Sequence, residues 1–146
     1  MPNLDFLAGG MSPDSSNPPV FDTGSVEFAA DGNPHTGGWS MYVPPSLVAV
    51  ALTIRFYFID NGAGAGAVPL TVQYFAATET TITTAGSATL TITVPNVLGT
   101  IYSEDLDITG WIPTGSSLFL LTLTRDSSAP ADTFAGALPY FAGKTL

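Results

Sequence analysis

The sequence predicts a single all-β domain, and three observations support that prediction. Val, Ile, Thr, Phe and Tyr, which favour strands, are abundant, whereas the helix formers Lys, Glu and Gln are scarce. The 15 glycines and 12 prolines interrupt the chain at intervals typical of turns. Between these turns apolar and polar residues alternate, as in strands with one buried face. A chain of 146 residues suits one hydrophobic core rather than two.

About seven or eight strands are predicted in chain order. They cover residues 20–29, 39–43, 48–60, 68–77, 88–94, 103–109, 117–125 and 135–141. The segments 48–60 and 68–77 are predicted to form a hairpin through a Gly/Ala loop. Both faces of 117–125 are largely apolar, which predicts a central strand. We therefore expect a jelly-roll-like antiparallel β-sandwich, with an immunoglobulin-like sandwich as the alternative topology.

The first 19 residues differ from the rest of the chain. Residues 1–19 are rich in Pro, Gly and Ser, which predicts an extended N-terminal arm before a sandwich domain of residues 20–146. A disordered tail is the alternative interpretation. If the arm is functional, its apolar side chains should dock on a neighbouring subunit, because exposed they would be a liability. These residues are Leu4, Phe6, Leu7 and Met11.

Charge and composition exclude several classes of partner. With 12 acidic and 3 basic residues the net charge is −9, which repels phosphate backbones and anionic membrane surfaces. The longest apolar stretch, residues 47–59, is too short for a membrane-spanning helix, and we expect no secretory signal at the N-terminus. The chain has no cysteine, so disulfides and thiolate metal sites are excluded. Neither nucleic acid nor membrane is therefore an expected partner.

No catalytic residue and no cofactor is predicted. His35 lies in a Gly/Pro-rich loop without a second ligand or a nucleophile nearby in sequence, and the serines lack a nucleophile-elbow motif. The pair Asp60-Asn61 and the run Glu104-Asp105-Asp107 could offer oxygen ligands to Ca²⁺. Solvated carboxylates are the simpler interpretation, so no metal site is predicted.

Aromatic residues have two possible roles. Trp39 and Trp111 could form a platform for a sugar, although core or interface positions are the more ordinary role for such residues in a sandwich. Tyr57, Phe75 and Phe119 lie on strand faces that one sheet packing would leave partly exposed. These three side chains are therefore predicted to form a subunit interface in an oligomer.

One ion pair is predicted near the end of the chain. Arg125 ends the apolar strand 117–125, so its guanidinium needs a carboxylate partner. Asp126 and Asp132 are the candidates, and Asp132 lies across the following loop. The predicted role of this cluster is structural, since it would hold the loop before the last strand.

The same residues resemble a known pattern. The chain resembles small β-sandwich virion proteins of tailed bacteriophages, in which a Gly/Pro turn precedes an apolar strand ending in Arg-Asp, and a loop with Asp-Thr then leads to a last strand with a tyrosine. The matching segments are Gly110-Trp111-Ile112-Pro113, residues 118–124, Arg125-Asp126, Asp132-Thr133 and Leu138-Pro139-Tyr140-Phe141, with Trp39 ahead of Val43-Pro44 at the start of the module.

The resemblance implies a virion role. It implies a structural role in the virion, as a trimer, and by itself it does not choose between a capsid decoration (cement) protein and the head of a fibre. Our leading hypothesis is a non-enzymatic capsid decoration protein, a homotrimer bound to the major capsid protein on the capsid exterior and assembled in the host cytoplasm. A short, Pro-rich arm, the lack of a coiled-coil or collagen-like stalk, and the net charge of −9 favour the capsid over a fibre. The alternative is the receptor- or glycan-binding head module of a tail fibre or baseplate.

Overall fold

The computed structural model describes residues 4–13, 18–22 and 24–146, and it has two five-stranded antiparallel sheets packed face to face. The all-β sandwich prediction is therefore confirmed. There are two short 3-10 helices, Ala8–Gly10 before the first strand and Pro45–Leu47 between the fourth and fifth strands. No helix in the described part of the chain could cross a membrane. The strands are β1 (Ser12–Pro13), β2 (Val20–Asp22), β3 (Ser25–Phe28), β4 (Pro34–Tyr42), β5 (Thr53–Ile59), β6 (Gly66–Ala77), β7 (Ile82–Val94), β8 (Ile101–Asp107), β9 (Leu118–Asp126) and β10 (Leu138–Thr145).

The chain crosses repeatedly between the two sheets, as in a jelly roll. The front sheet has the order β1-β4-β9-β6-β7, and the back sheet has the order β2-β3-β10-β5-β8. The central strand predicted over residues 117–125 is β9, which lies between β4 and β6 in the front sheet. Its inward side chains are buried and its outward side chains are partly exposed, because the front sheet has one face on the core and one on solvent.

The core between the sheets is rich in aromatic rings. Tyr140 of β10 lies at its centre, with ring centroids 5.4 Å from Trp39, 6.2 Å from Phe56 and 5.6 Å from Phe58. Burial raises the pKa of the Tyr140 phenol, so the hydroxyl stays protonated and donates to the carbonyl oxygen of Phe6. The aromatic cluster therefore joins β4, β5 and β10 to residues 4–13, called the N-terminal segment below.

The predicted hairpin between residues 48–60 and 68–77 is wrong. Strand β5 lies in the back sheet and β6 in the front sheet, so the Gly/Ala loop between them crosses the sandwich. Asp60 stabilises this crossing: its buried carboxylate accepts the backbone N–H of Gly62 at 2.8 Å and that of Val97 at 2.7 Å. Gly62 has a φ of 72°, which a side chain would disfavour.

The N-terminal segment belongs to the sandwich, which corrects the prediction of a separate arm. Leu4, Phe6 and Met11 are buried in the same core as the strands, and only Leu7 of the four predicted attachment residues is exposed. Phe6 pairs with Gly143 through two backbone hydrogen bonds of 2.7 and 3.0 Å. The segment folds inward because its apolar residues complete the core. Residues 1–3 and 14–17 of the predicted arm lie outside the described residues.

The stability of the sandwich should therefore depend on this segment. Replacing Phe6 by alanine leaves a cavity beside Trp39 and Phe56, and we expect the free energy of unfolding to fall by about 3 to 5 kcal/mol. The matched control is Leu7→Ala, which removes an exposed side chain. This substitution should change the free energy of unfolding by less than about 0.5 kcal/mol. Urea denaturation measures both. Equally small losses of unfolding free energy in the two variants would instead support an arm that is separate from the sandwich.

Candidate functional site

The structure brings Arg125 and Asp132 together in a buried ion pair. Their side chains are 0% and 1% exposed, and Arg125 Nε lies 2.8 Å from Oδ2 of Asp132 while Nη2 lies 3.0 Å from Oδ1. The remaining guanidinium protons go to backbone carbonyls of Phe28, Phe134 and Gly136 at 2.6 to 3.0 Å. Each of the five N–H groups of the side chain therefore has an acceptor. The site is structural, because no proton of the guanidinium is left for a ligand.

Asp126 does not join this pair. Its carboxylate instead accepts the backbone N–H and the hydroxyl of Ser128, at 3.0 and 2.6 Å. The Ser128 hydrogen bonds lower the pKa of Asp126, which is partly exposed. Alternation along β9 explains the separation, because Arg125 faces the core and its neighbour Asp126 faces outward.

The three residues predicted for a subunit interface do not share one surface. Phe119 is 1% exposed and forms part of the core, which removes it from any interface. Phe75 is partly exposed on the outer face of the front sheet, and Tyr57 is partly exposed on the outer face of the back sheet. The structure thus does not bring them together, because β5 and β6 lie in different sheets.

His35 lies on β4 with its ring buried. Its Nε2 is 2.8 Å from Oδ1 of Asp31, and its Nδ1 is 3.3 Å from the carbonyl oxygen of Pro18. The hydrogen bond with His35 lowers the pKa of the exposed Asp31 carboxyl. The histidine joins the loop before β4 to the N-terminal segment.

Three of the acidic residues considered as calcium ligands are engaged in other contacts. Asp105 makes two hydrogen bonds with Arg55, at 2.7 and 2.8 Å, which lower the pKa of Asp105. Hydrogen bonds with Thr109 lower the pKa of Asp107, and Asp60 holds the crossing loop. Among the described residues no group of three His, Cys, Asp or Glu side chains could hold a metal ion.

Neither tryptophan forms an open platform. Trp39 is 5% exposed, packs edge-on against Phe6, and donates its indole N–H to the carbonyl of Leu7 at 3.0 Å. Trp111 is partly buried and stacks on Tyr74 with ring centroids 3.9 Å apart and planes 7° from parallel. Both residues therefore serve packing, which is the more ordinary of the two roles considered for them.

The outer face of the front sheet, called the front face below, changes from apolar to polar along the strands. The outward side chains of β4, β9, β6 and β7 align in cross-strand rows that change from apolar at one end to hydroxyl-bearing at the other. In order, the rows are Tyr42, Leu118, Ala77 and Ile82; Ser40, Leu120, Phe75 and Ala85; Gly38, Thr122, Gln73 and Ser87; and Thr36, Thr124, Thr71 and Thr89.

A shallow groove runs diagonally across the front face. One depression of about 240 Å³ lies over Gly38 and Ser40, between Pro13 of β1 and Thr122 of β9. A second, of about 220 Å³, lies over Leu118 and Leu120 beside Phe75. The two share Ser40 and Leu120, so they form one surface from β1 to β6. We call it the front groove, lined by Pro13, Gly38, Ser40, Phe75, Leu118, Leu120 and Thr122.

The front groove combines an apolar floor with polar groups that could meet a ligand. Phe75, Leu118 and Leu120 present partly exposed apolar surface beside Ser40. The hydroxyls of Thr36 and Thr124 lie 2.7 Å apart and share one hydrogen bond, whereas the Thr122 hydroxyl is buried without a partner. Of the groove residues, sequence reasoning had singled out only Phe75, because the others are common types whose grouping depends on strand register.

Comparison with known proteins gives similarity at the level of structure only. No protein-family model matches the sequence, and no curated protein sequence matches it. The structure is similar to CBM35 from Cellvibrio japonicus Abf62, with a TM-score of 0.55 and 12% identity over 99% of this chain and 93% of that one. It is also similar to the CBM22-2 xylan-binding domain from Paenibacillus barcinonensis Xyn10C, with a TM-score of 0.51 and 14% identity over 98% and 96% of the chains.

A larger enzyme contains a similar domain. The Arthrobacter globiformis T6 isomalto-dextranase solved with panose matches with a TM-score of 0.57 and 14% identity. The match covers 98% of this chain but 23% of the enzyme. At such identities the likeness defines the fold alone, a β-sandwich of the kind found in carbohydrate-binding modules.

The buried ion pair predicts a large effect of one substitution. Arg125→Ala leaves the Asp132 carboxylate and three carbonyls without their donor, and we expect the free energy of unfolding to fall by about 3 to 5 kcal/mol. Arg125→Lys should recover little of this, because an ammonium group lacks the fork that matches Asp132. Asp126→Ala is the control and should cost less than about 1 kcal/mol. A loss below 1 kcal/mol in Arg125→Ala, measured by urea denaturation, would contradict the assignment.

Proposed function

We propose that this chain is a non-catalytic carbohydrate-binding module and that the front groove holds the glycan. The observation that carries the proposal is the juxtaposition, on one face, of the apolar row containing Phe75 and Leu120, which lines the groove, with the adjacent hydroxyl and amide row containing Thr122 and Gln73. A sugar ring has an apolar C–H face and a rim of hydroxyls, so it needs both kinds of surface side by side.

The apolar part of the groove suits the face of a sugar ring. Phe75 is partly exposed and lies between Leu120 of β9 and the much smaller Ala85 of β7. An aromatic ring of this kind supplies contact area at little cost in side-chain entropy. Leu118 and Leu120 extend the floor along β9.

The polar part of the groove suits the hydroxyl rim. Outward residues on adjacent strands are about 5 Å apart, and successive outward residues on one strand are about 7 Å apart. Ser40, Gln73 and Thr36 therefore offer donors and acceptors over a distance comparable with one or two sugar units.

The likeness of the fold to carbohydrate-binding modules supports the proposal. Of the two functions considered from the sequence, glycan binding is thus better supported than capsid decoration. The virion role, the trimer and the capsid partner stay predictions of the resemblance. Attachment through residues 4–13 would have to use the exposed Leu7, since Leu4, Phe6 and Met11 are occupied in the core.

Phe75→Ala tests this function. We expect it to weaken binding about tenfold to a hundredfold, because the variant loses the burial of a partly exposed ring against the sugar. A glycan array, followed by calorimetry with soluble xylan and dextran, provides the measurement. Tyr57→Ala is the matched control, since Tyr57 is an outward, partly exposed aromatic residue on the opposite sheet.

Two results would contradict the proposal. One is an intact protein that binds no glycan on the array or in calorimetry. The other is glycan binding that Tyr57→Ala abolishes and Phe75→Ala leaves unchanged. A folding control is provided by the denaturation midpoint of each variant, because both side chains lie outside the core cluster.

A further inference from the structure

We infer that the front groove selects neutral glycans and excludes those that carry carboxylates. The inference rests on the proposed function and adds the chemical class of the ligand. Its starting point is the distribution of charge on a chain with a net charge of −9.

Among the described residues, no basic side chain reaches the front groove. The whole sequence has three basic side chains, Arg55, Arg125 and Lys144. Arg125 is buried with all its donors occupied, and Arg55 is bound to Asp105. Arg55 and Lys144 are cross-strand neighbours on β5 and β10 of the back sheet, on the far side of the sandwich from the groove.

The front face itself is uncharged across its four complete rows. These rows consist of hydroxyl, amide, aliphatic and aromatic side chains, with glycine at one position. The charged residues that flank the rows are acidic: Asp126 follows Thr124 beyond the threonine row, and Glu79 lies in the turn between β6 and β7 beyond the apolar row. The local field therefore adds to the repulsion from the negative net charge.

A carboxylate on the ligand would meet two penalties at this site. Placing it in the groove removes part of its hydration without offering a guanidinium or ammonium partner in exchange. Approach to the groove is also opposed by the charge of the protein, and this second penalty is screened by salt. A neutral polysaccharide with the same backbone meets neither penalty. Its hydroxyls and C–H faces can therefore contact the groove without this cost.

The test compares matched neutral and anionic polysaccharides with the intact chain. The pairs are hydroxyethylcellulose with carboxymethylcellulose, arabinoxylan with glucuronoxylan, and methyl-esterified polygalacturonan with polygalacturonan. We expect any backbone that binds to bind about tenfold or more weakly in its anionic form in calorimetry at about 20 mM NaCl. The difference should narrow, without vanishing, at about 200 mM NaCl, because screening removes only the long-range part.

A positive charge placed at the edge of the groove should reduce its preference for neutral glycans. Gln73→Lys adds a cation at an exposed outward position beside Thr122, and we expect it to reduce the preference for the neutral form about threefold to tenfold. Ser103→Lys is the matched control, because it adds the same charge at an exposed outward position on β8 of the back sheet. It should leave the preference nearly unchanged.

The outcomes separate this inference from the proposed function. Binding of neutral forms in preference to anionic forms, with the preference reduced by Gln73→Lys alone, supports the inference. Equal or tighter binding of the anionic forms overturns it and leaves glycan binding intact. An equal effect of Gln73→Lys and Ser103→Lys overturns the placement of the selectivity in the groove. Binding of neither form overturns the proposed function, and the inference with it.

Discussion

The buried pair of Arg125 and Asp132 is the interaction on which the rest of the sandwich depends. It connects the end of β9 in the front sheet to the Phe28 carbonyl at the end of β3 in the back sheet, and to the loop that leads into β10. Phe134 packs its ring 5.6 Å from the guanidinium carbon and covers the pair. A buried charge is tolerated here because five acceptors, two of them from one carboxylate, replace its hydration.

The same pair determines which side chains reach the front face. Side chains alternate along a strand. A shift of β9 by one residue would therefore expose the side chains that now face the core, Arg125 among them, and bury those that now face outward. Such a shift would remove the guanidinium from Asp132 and place Thr122 and Thr124 in the core. The ion pair thus opposes a change of register in the central strand. Since the neighbours β4 and β6 pair with β9, the front groove depends on this register as well.

Local sequence patterns predicted most of the fold but little of the candidate binding site. Alternation predicted β9 as a central strand, and the apolar neighbours of Arg125 predicted its need for a carboxylate. The sequence could not show that β5 and β6 lie in different sheets, because that depends on hydrogen bonds from residues as distant as Val97 to Asp60. It also could not show that Phe6 completes the core. The front groove is assembled from strands β1, β4, β9 and β6, and only their register brings its residues together.

The most direct test of glycan binding by the front groove is a titration of the ¹⁵N-labelled chain with a neutral oligosaccharide from the backbone that binds best. Amide chemical shifts then report the bound surface residue by residue. We predict that the largest changes fall on Ser40, Leu120, Thr122 and Phe75, with little change in β5, β8 and β10. Changes centred on Tyr57 and Ser103 of the back sheet, or no saturable change at all, would contradict the account.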